Sequence, residues 1–295
     1  MTDWDWFESL RKASLDEVNF WQPSATGVGA PVGTPWIFKL HYPRNMIVGV
    51  GFFTYYTRMP ISVAWETFTI ANGASSLNQM ISRVAHYRKA PTNDTAEIGC
   101  IVLSSTVFLE EHEWIKAPAD WSPNVVNRKG YDLTAGPGQK LWLQLSERLR
   151  SAEHAISPLI PALAVGKPIL VTPRLGQGAF RLQVTDAYGR RCAVTGERTL
   201  PALEAAHIKP FSEVKTHDVR NGLLLRSDLH RLFDLGYVSV QPNLKFRVSR
   251  AIRDNFENGR DYYALDNAEI RLPSDSAKAP AREFLEWHYD ELFRG

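Results

Sequence analysis

The first half of the chain is patterned in short apolar runs that are separated by Gly, Pro and Asn between about residues 35 and 147. Runs of this length with such boundaries are typical of β-strands. Within residues 61–88, apolar side chains also recur at helical spacing, at Leu77, Met80, Ile81 and Val84. The pattern predicts a small β-barrel on which one or two helices pack. The apolar runs that carry this prediction are residues 36–40, 46–53 and 98–103.

The pattern changes after residue 140. Residues 141–157 have helical composition, and the prolines at positions 158, 161, 168 and 173 would interrupt any regular element that follows. A chain of 295 residues suits about two domains. We therefore predict a first domain over residues 1–147, a helical and proline-rich linker over 148–172, and a second domain over 173–295.

The second domain begins with two predicted strands, at residues 180–184 and 191–194. A short apolar strand with one histidine follows at 205–208, and Asn221-Gly222 is a turn signal. Residues 228–235 have the spacing of a short helix, with Ser227 as its N-cap and Gly236 as its C′ residue. The predicted fold class is α+β, with the order strand, loop, strand, helix at its centre.

Charge is uneven along the chain. The formal net charge is only +2, but residues 171–250 hold thirteen Lys and Arg against seven Asp and Glu, a surplus of six positive charges. Such an excess suits phosphate binding. A solvated basic face would have the same composition, so both interpretations stay open.

Cysteine content and hydropathy exclude several classes of protein. With only Cys100 and Cys192 present, a disulfide framework and a four-cysteine zinc site are not expected. No apolar run reaches the roughly 18 residues that span a bilayer, and the N-terminus has no signal-peptide pattern. The expectation is a cytoplasmic protein without a membrane partner.

Three residues carry the chemistry of the second domain. His207, Asn221 and His230 are spaced fourteen and nine residues apart in the strand, loop, strand, helix order, and this resembles the HNH or ββα-metal nuclease motif. The resemblance covers roughly residues 173–250, with a motif core over 180–250. Neighbouring segments resemble one subgroup of that family, namely residues 176–181, 186–188, 192–196, 204–208 and 229–234.

The resemblance implies a role for each residue. His207 would be the general base that activates water, since a neutral imidazole with a pKa near the operating pH suits that task. Asn221 would orient the ring of His207 or fix the hairpin. His230 would bind a divalent cation, Mg²⁺ or else Mn²⁺, that stabilises charge on the phosphate. Asp234, one turn further, either helps to bind the metal or has a capping or ion-pairing role.

The chain departs from a common form of the motif, which has an acidic metal ligand directly before the base histidine. Here that position is Ala206. Glu204 lies three residues before His207, so strand alternation places it on the opposite face unless the strand bulges, and it is not assigned as a ligand. No structural zinc is expected, because the cysteine pairs of other HNH proteins are missing.

The first domain is similar to the EVE branch of the PUA-like barrels, over about residues 15–145. Segments 19–24, 38–41, 47–53 and 98–103 carry this likeness. Related barrels of the SRA and YTH types hold one flipped base in an aromatic pocket. Core packing is the alternative role for each candidate aromatic residue. The candidates for a modified-base pocket are Trp21, Gln22, Trp36, Tyr55, Trp65, Asp120 and Trp121.

Together these resemblances imply a DNA endonuclease that depends on modified cytosine, as in modification-dependent restriction enzymes. Two alternatives remain: an HNH nuclease directed to RNA, and a nucleic-acid-binding protein whose nuclease domain is inactive, the latter motivated by Ala206. One HNH motif per chain also suggests a homodimer, because a duplex cut needs two active sites or two visits.

Overall fold

The computed structural model describes residues 1–24, 26–121, 128–149 and 176–295. The chain divides into two compact units, which we call unit 1 (Met1–Gly176) and unit 2 (Gln177–Gly295). The prolines that mark the predicted junction lie outside the described residues. Within the described ranges, no helix combines the length and the apolar character needed to cross a bilayer.

Unit 1 is built on a mixed set of strands and helices. Its strands are β1 (Glu17–Gln22), β2 (Pro35–Lys39), β3 (Met46–Pro60), β4 (Glu97–Phe108) and β5 (Ile115–Lys116). Its helices are α1 (Trp4–Ala13), α2 (Ile61–Phe68), α3 (Leu77–Arg88) and α4 (Gly136–Leu149).

One antiparallel sheet organises unit 1. Its strand order is β1-β4-β3-β2, and β5 pairs with the start of β3. The long strands β3 and β4 pair from Gly49 opposite Phe108 to Pro60 opposite Glu97, with two register shifts. Such shifts bend a strand and increase its twist. Among the described residues the sheet is open, so closure into the expected barrel is not observed.

Both faces of this sheet are covered, because successive strand residues point to opposite sides. Val48 packs in a cluster with Phe7 and Leu10 of helix α1. Its neighbour Ile47 packs on the other side with Trp142 of helix α4. The strands predicted at 36–40, 46–53 and 98–103 are confirmed, and so are the two helices within residues 61–88.

Unit 2 contains two small hairpins and several short helices. Its strands are β6 (Leu203–His207), β7 (Gly222–Arg226), β8 (Val238–Val240) and β9 (Phe246–Val248). Its helices are α5 (Gln177–Ala187), α6 (Phe211–Val214), α7 (Ser227–Asp234), α8 (Ala251–Phe256), α9 (Arg260–Tyr263) and α10 (Arg282–Trp287), with a π-helical turn over His288–Leu292.

Two strand predictions in unit 2 are wrong. Residues 180–184 lie in helix α5, and residues 191–194 form a bend and a turn. Phe180 and Val184 are four residues apart and both are buried, which is helical spacing. A short apolar run does not distinguish a strand from a buried helix by its pattern alone.

Helix α5 packs closely on the hairpin at Gly222. A Cβ atom at this position would lie 2.4 Å from Val184 Cγ2, so only glycine allows the approach. Asn221 ends a short 3-10 turn, and Gly222 begins β7 in extended conformation. The turn predicted at Asn221-Gly222 is therefore displaced toward the N-terminus, since it ends at Asn221 while Gly222 already belongs to β7, where packing requires glycine.

Helix α7 follows β7 without a loop. Its N-cap is Arg226, and Ser227 is the first helical residue, so the predicted serine cap is wrong by one position. Gly236 has φ +74° and follows the C-cap Leu235, as the predicted C′ glycine should. The predicted order of strand, loop, strand and helix is confirmed around residues 203–234.

Candidate active site

Hairpin β6–β7 and helix α7 place two histidines on one cleft. His207 is the last residue of β6, paired with Gly222, and His230 lies in the middle of α7. Both line a cleft of about 550 Å³, which we call the histidine cleft. The other residues that line it are Gln177, Phe180, Arg181, Glu204, Ala205, Ile208, Pro210, Phe211, Asp234, His288 and Leu292.

The ring of His207 is held between an aromatic ring and another imidazole. It stacks on Phe180 with ring centroids 3.9 Å apart and planes 10° apart. Its Nε2 lies 3.1 Å from Nδ1 of His217. Burial lowers the pKa of His207 to about 4, with smaller contributions from His217 and His230. His207 is therefore neutral at physiological pH, as a general base must be, but its pKa lies below the near-neutral value that the sequence predicts for the base.

Sequence reasoning missed His217, which lies between α6 and the 3-10 turn that leads to Asn221. It stacks on Phe211 with ring centroids 4.3 Å apart. Burial also lowers the pKa of His217. The segment around it has no periodic pattern, so only the ring's position in the folded chain reveals its link to His207.

Asn221 fixes the chain just after the base candidate. Its side chain is fully buried; its Oδ1 accepts from the Lys209 amide and its Nδ2 donates to the Lys209 carbonyl, both at 2.8 Å. Ile208 N also donates to the Asn221 carbonyl at 2.9 Å. These contacts fit the hairpin-fixing alternative. Among the described residues, no hydrogen bond joins the Asn221 side chain to the ring of His207, so these contacts give no support to the orienting alternative.

His230 lies between two carboxylates. Its Nδ1 is 2.6 Å from Glu204 Oε2, and its Nε2 is 3.3 Å from Asp234 Oδ2. Asp234 thus projects from the same helix face as His230, as the i, i+4 spacing predicts. Burial raises the pKa of Asp234, and the nearby Glu204 carboxylate adds to this effect.

The expected position of Glu204 is wrong. Strand alternation was expected to turn it away from His207, yet it lines the same cleft and contacts His230. No bulge is responsible, because the β6–β7 register is continuous. Two-stranded ribbons twist strongly, and α7 packs against β6, so the long Glu204 side chain reaches a partner that the helix supplies.

Two of these groups could hold a divalent cation. Within the described ranges, no three His, Cys, Asp or Glu side chains form a ready-made metal site. The 3.3 Å between His230 Nε2 and Asp234 Oδ2 is close to the roughly 3 Å between adjacent ligands of an octahedral ion bound at about 2.1 Å. Mg²⁺ commonly takes one or two protein ligands and completes its shell with water and phosphate oxygens. The donors present therefore fit a magnesium-like ion.

His288 also lines the cleft but has a structural environment. Its Nε2 donates to the Phe233 carbonyl at 3.1 Å, and its Nδ1 lies 2.8 Å from the Ser239 hydroxyl. Burial lowers the pKa of His288 to about 4. Both ring nitrogens of His288 are therefore hydrogen-bonded inside the core, and the bond to Phe233 stabilises the end of helix α7.

In unit 1 the structure brings together only part of the predicted base pocket. Trp36 and Trp121 line a cleft of about 250 Å³ together with Tyr131 and Lys39, and we call this the aromatic cleft. The Lys39 ammonium lies 5.1 Å from the Trp121 ring centroid. Asp120 lies beside the cleft, but its carboxylate already accepts from Lys129 at 2.6 Å and Tyr131 at 2.9 Å.

The other predicted pocket residues lie elsewhere. Trp21 is buried and donates its indole N–H to the Asn72 carbonyl at 3.0 Å, and Gln22 is buried beside it in β1. Tyr55 and Trp65, in β3 and α2, are half-buried and do not line the aromatic cleft. For Trp21 the core-packing alternative is the one that the structure shows.

Comparison with known proteins agrees with the geometry of unit 2. Residues 192–241 match the family of HNH endonucleases. The matched segment contains His207, His217, Asn221, His230 and Asp234, and it leaves unit 1 and helix α5 outside. A search of the curated proteins finds no match. The HNH domain supports nuclease activity on a nucleic acid substrate, and HNH nucleases generally use divalent metal ions.

Proposed function

We propose that this protein is a metal-dependent endonuclease that hydrolyses phosphodiester bonds in DNA. One observation carries the proposal: a neutral histidine, His207, and a histidine–carboxylate pair, His230 and Asp234, line the same cleft within the HNH segment. Phosphodiester hydrolysis needs both a base for water and a means to stabilise charge on the leaving oxygen.

In this mechanism His207 removes a proton from the attacking water. Its position at the end of β6 and its stacking on Phe180 hold the ring in one place. The bidentate bond between Asn221 and Lys209 holds the backbone that follows. Since a well-positioned general base contributes about 10² to 10⁴-fold in rate, this placement accounts for a large part of the activity.

In the same cleft, His230 Nε2 and Asp234 Oδ2 would hold a divalent cation, Mg²⁺ or Mn²⁺, which would supply positive charge at the scissile phosphate. Glu204 accepts a hydrogen bond from the Nδ1–H group of His230, so the lone pair of His230 stays on Nε2. A carboxylate in this position orients a metal-binding histidine and makes it more basic.

The DNA backbone needs positive charge at the cleft. Arg181, in α5, lines the cleft next to Phe180 and can contact a phosphate as it enters. Such contacts carry no sequence information, so selectivity has to come from another part of the chain.

Purified protein incubated with supercoiled plasmid and Mg²⁺ or Mn²⁺ tests the nuclease proposal. We expect nicking or linearisation with metal and none with EDTA. His207→Ala is compared with His86→Ala, which removes an exposed histidine outside the cleft. The comparison distinguishes an effect at the cleft from the effect of losing any one histidine. Equal cleavage by both variants, or no cleavage of DNA or RNA by the wild-type protein, would overturn the proposal.

We propose further that unit 1 reads a modified cytosine that is flipped out of the duplex, as its likeness to PUA-like domains implies. The aromatic cleft supports this, because Trp36, Trp121 and Tyr131 offer ring faces to replace lost stacking and Lys39 offers a positive charge. A homodimer would supply one active site for each strand, so that the duplex could be cut without a second visit.

Binding in the absence of metal tests the reading step on the full chain. Gel shifts in EDTA, at a stated salt concentration, would compare duplexes with cytosine, 5-methylcytosine and 5-hydroxymethylcytosine. We expect tighter binding to one modified duplex, and loss of that preference in Trp121→Ala but not in the control Trp65→Ala, which lies outside the aromatic cleft. Tighter binding to structured RNA, or equal binding to all duplexes, would contradict this part of the proposal and favour an RNA substrate.

A further inference from the structure

The candidate base His207 contacts a second histidine, His217, that is not one of the three motif residues. His207 Nε2 and His217 Nδ1 are 3.1 Å apart, which is hydrogen-bond distance for two ring nitrogens. A neutral imidazole has one N–H and one lone pair, so one ring must donate and the other accept. The direction of this bond decides which nitrogen of His207 can act as a base.

The pair is held in place on both sides. Phe180 stacks on His207 with planes 10° apart, and Phe211 stacks on His217 with planes 13° apart. The two imidazoles are inclined at 49° with centroids 5.2 Å apart, so they meet through their nitrogens and not through their faces. Burial lowers the pKa of both histidines, which keeps both rings neutral and able to accept.

Only one direction of the bond is compatible with a base at His207. If His217 donates, His207 accepts at Nε2 and carries its proton on Nδ1, so no lone pair is left for water. If His207 donates from Nε2, its lone pair is on Nδ1, which has no hydrogen-bond partner within the part of the chain that the structure describes. This step rests on the proposed function of His207.

A metal ion between the two rings is the competing explanation, because two nitrogens 3.1 Å apart could share one cation. Two imidazoles suit a zinc-like ion and not Mg²⁺, and zinc sites in proteins take three or four protein ligands. Across the described ranges, no third His, Cys, Asp or Glu joins the pair. The hydrogen bond accounts for the contact without them.

We infer that His217 is a positioning residue of the nuclease: its Nδ1 accepts the Nε2–H of His207, and this holds the lone pair of His207 on Nδ1, where it takes the proton of the attacking water. His217 touches neither substrate nor metal in this role. His217 would fix the tautomer of His207, as Glu204 would fix the tautomer of His230.

The tautomer of His207 tests the inference without any measurement of activity. Long-range ¹H–¹⁵N correlation spectra of the full-length protein, labelled with ¹⁵N-histidine at pH 7.5, distinguish the two ring nitrogens, and His207→Gln identifies the signals. We expect a proton on Nε2 and a bare Nδ1. A proton on Nδ1 in the wild-type protein would overturn the inference.

Two substitutions separate the hydrogen bond from packing. His217→Phe keeps a ring to stack on Phe211 and removes the acceptor, whereas His217→Asn keeps an acceptor near the Nδ1 position. We expect His217→Phe to leave His207 as a mixture of tautomers and His217→Asn to preserve the Nε2–H form. An unchanged tautomer in a His217→Phe protein with wild-type thermal stability would also overturn the inference.

Cleavage kinetics provide a second readout. We expect His217→Phe to lower kcat about 10 to 100-fold with KM nearly unchanged, the size typical of an orienting partner, and His217→Asn to recover part of the loss. The control His86→Phe, an exposed position in unit 1, should have no effect. An equal loss in the Phe and Asn variants, or a loss confined to KM, would contradict positioning. If the wild-type protein cleaves nothing, the nuclease proposal fails while the NMR result still decides the hydrogen bond.

Discussion

Two histidines line the histidine cleft in contrasting surroundings. His207 is packed against Phe180 and a neutral imidazole, and burial lowers its pKa to about 4. His230 lies between the carboxylates of Glu204 and Asp234, at 2.6 and 3.3 Å. Hydrophobic surroundings favour the neutral ring, whereas anionic partners make a ring more electron-rich.

The difference shows how one type of side chain can serve two tasks. An imidazole that stays neutral and keeps the lone pair of one nitrogen free of hydrogen bonds is suited to take a proton from water. A ring whose Nδ1 proton is held by a carboxylate directs its other nitrogen to a cation. In the proposed mechanism, the division between base and ligand follows from the neighbours of each histidine, and the following predictions test those neighbours.

Removal of the base should have the largest effect. His207→Ala should lower kcat for plasmid cleavage by about 10² to 10⁴-fold, because proton transfer is lost, and DNA binding in EDTA should change little. The measurement is single-turnover cleavage beside a gel shift. Cleavage at the wild-type rate would show that another group activates water.

The surroundings of His207 should also show in its titration. By NMR, we expect the pKa of His207 to be about 4, well below the ordinary histidine value of 6.5, because the ring is buried. Between these pH values the unfolded chain binds a proton at this position that the folded chain does not, so His207 should make the protein less stable as pH falls from 6.5 to 4. His207→Gln should weaken that loss in chemical denaturation. A midpoint near 6.5 for His207 would show that its ring is not shielded by Phe180 and His217.

The sequence spacing singles out three motif residues, of which the structure brings His207 and His230 to one cleft, but the spacing does not reveal the side chains that contact them. His207, Asn221 and His230 stand out because their spacing follows strand, loop and helix. His217 lies in a loop without periodicity, and its link to His207 depends on how the loop folds back. Glu204 was excluded by strand alternation, a rule that describes a flat strand and not the reach of a long side chain on a twisted ribbon.

The fold shows the same limit. Strands β2, β3 and β4 were predictable because each has an apolar run with turn residues at its ends. Helix α5 was mistaken for a strand because the run at 180–184 is short and apolar, and only its packing on Gly222 distinguishes the two. Aromatic residues were abundant enough to suggest a pocket, but composition cannot tell that Trp21 binds Asn72 in the core while Trp36 and Trp121 line a cleft.

A smaller effect is expected at Glu204, on the metal side of the comparison. Glu204→Ala should weaken Mn²⁺ binding to the full chain by about 10 to 100-fold, as loss of an orienting partner does. Glu204→Gln keeps an acceptor for His230 Nδ1 and should fall between Ala and wild type. Isothermal titration calorimetry measures this without DNA, and Glu286→Ala, at a surface ion pair with Arg282, is the control. If Gln and Ala weaken binding equally, Glu204 binds the cation directly.

The smallest effect is expected at Arg181, which lines the cleft but has no part in the base or the metal pair. It lines the cleft beside Phe180, so Arg181→Ala should remove one phosphate contact while leaving the base and the metal pair in place. Loss of one such contact should weaken DNA binding in EDTA uniformly across sequences and reduce the slope of log K against log salt by about 1. Arg190→Ala is the matched control, because Arg190 is bound to Asp186 at 3.3 Å and does not line the cleft.

The rate of cleavage is the second measurement for Arg181→Ala. Since kcat in the proposed mechanism depends on the two histidines, it should stay within a few-fold of wild type when DNA is saturating. A large fall in kcat with an unchanged salt slope would instead place Arg181 at the reacting phosphate, where it would stabilise charge in the transition state.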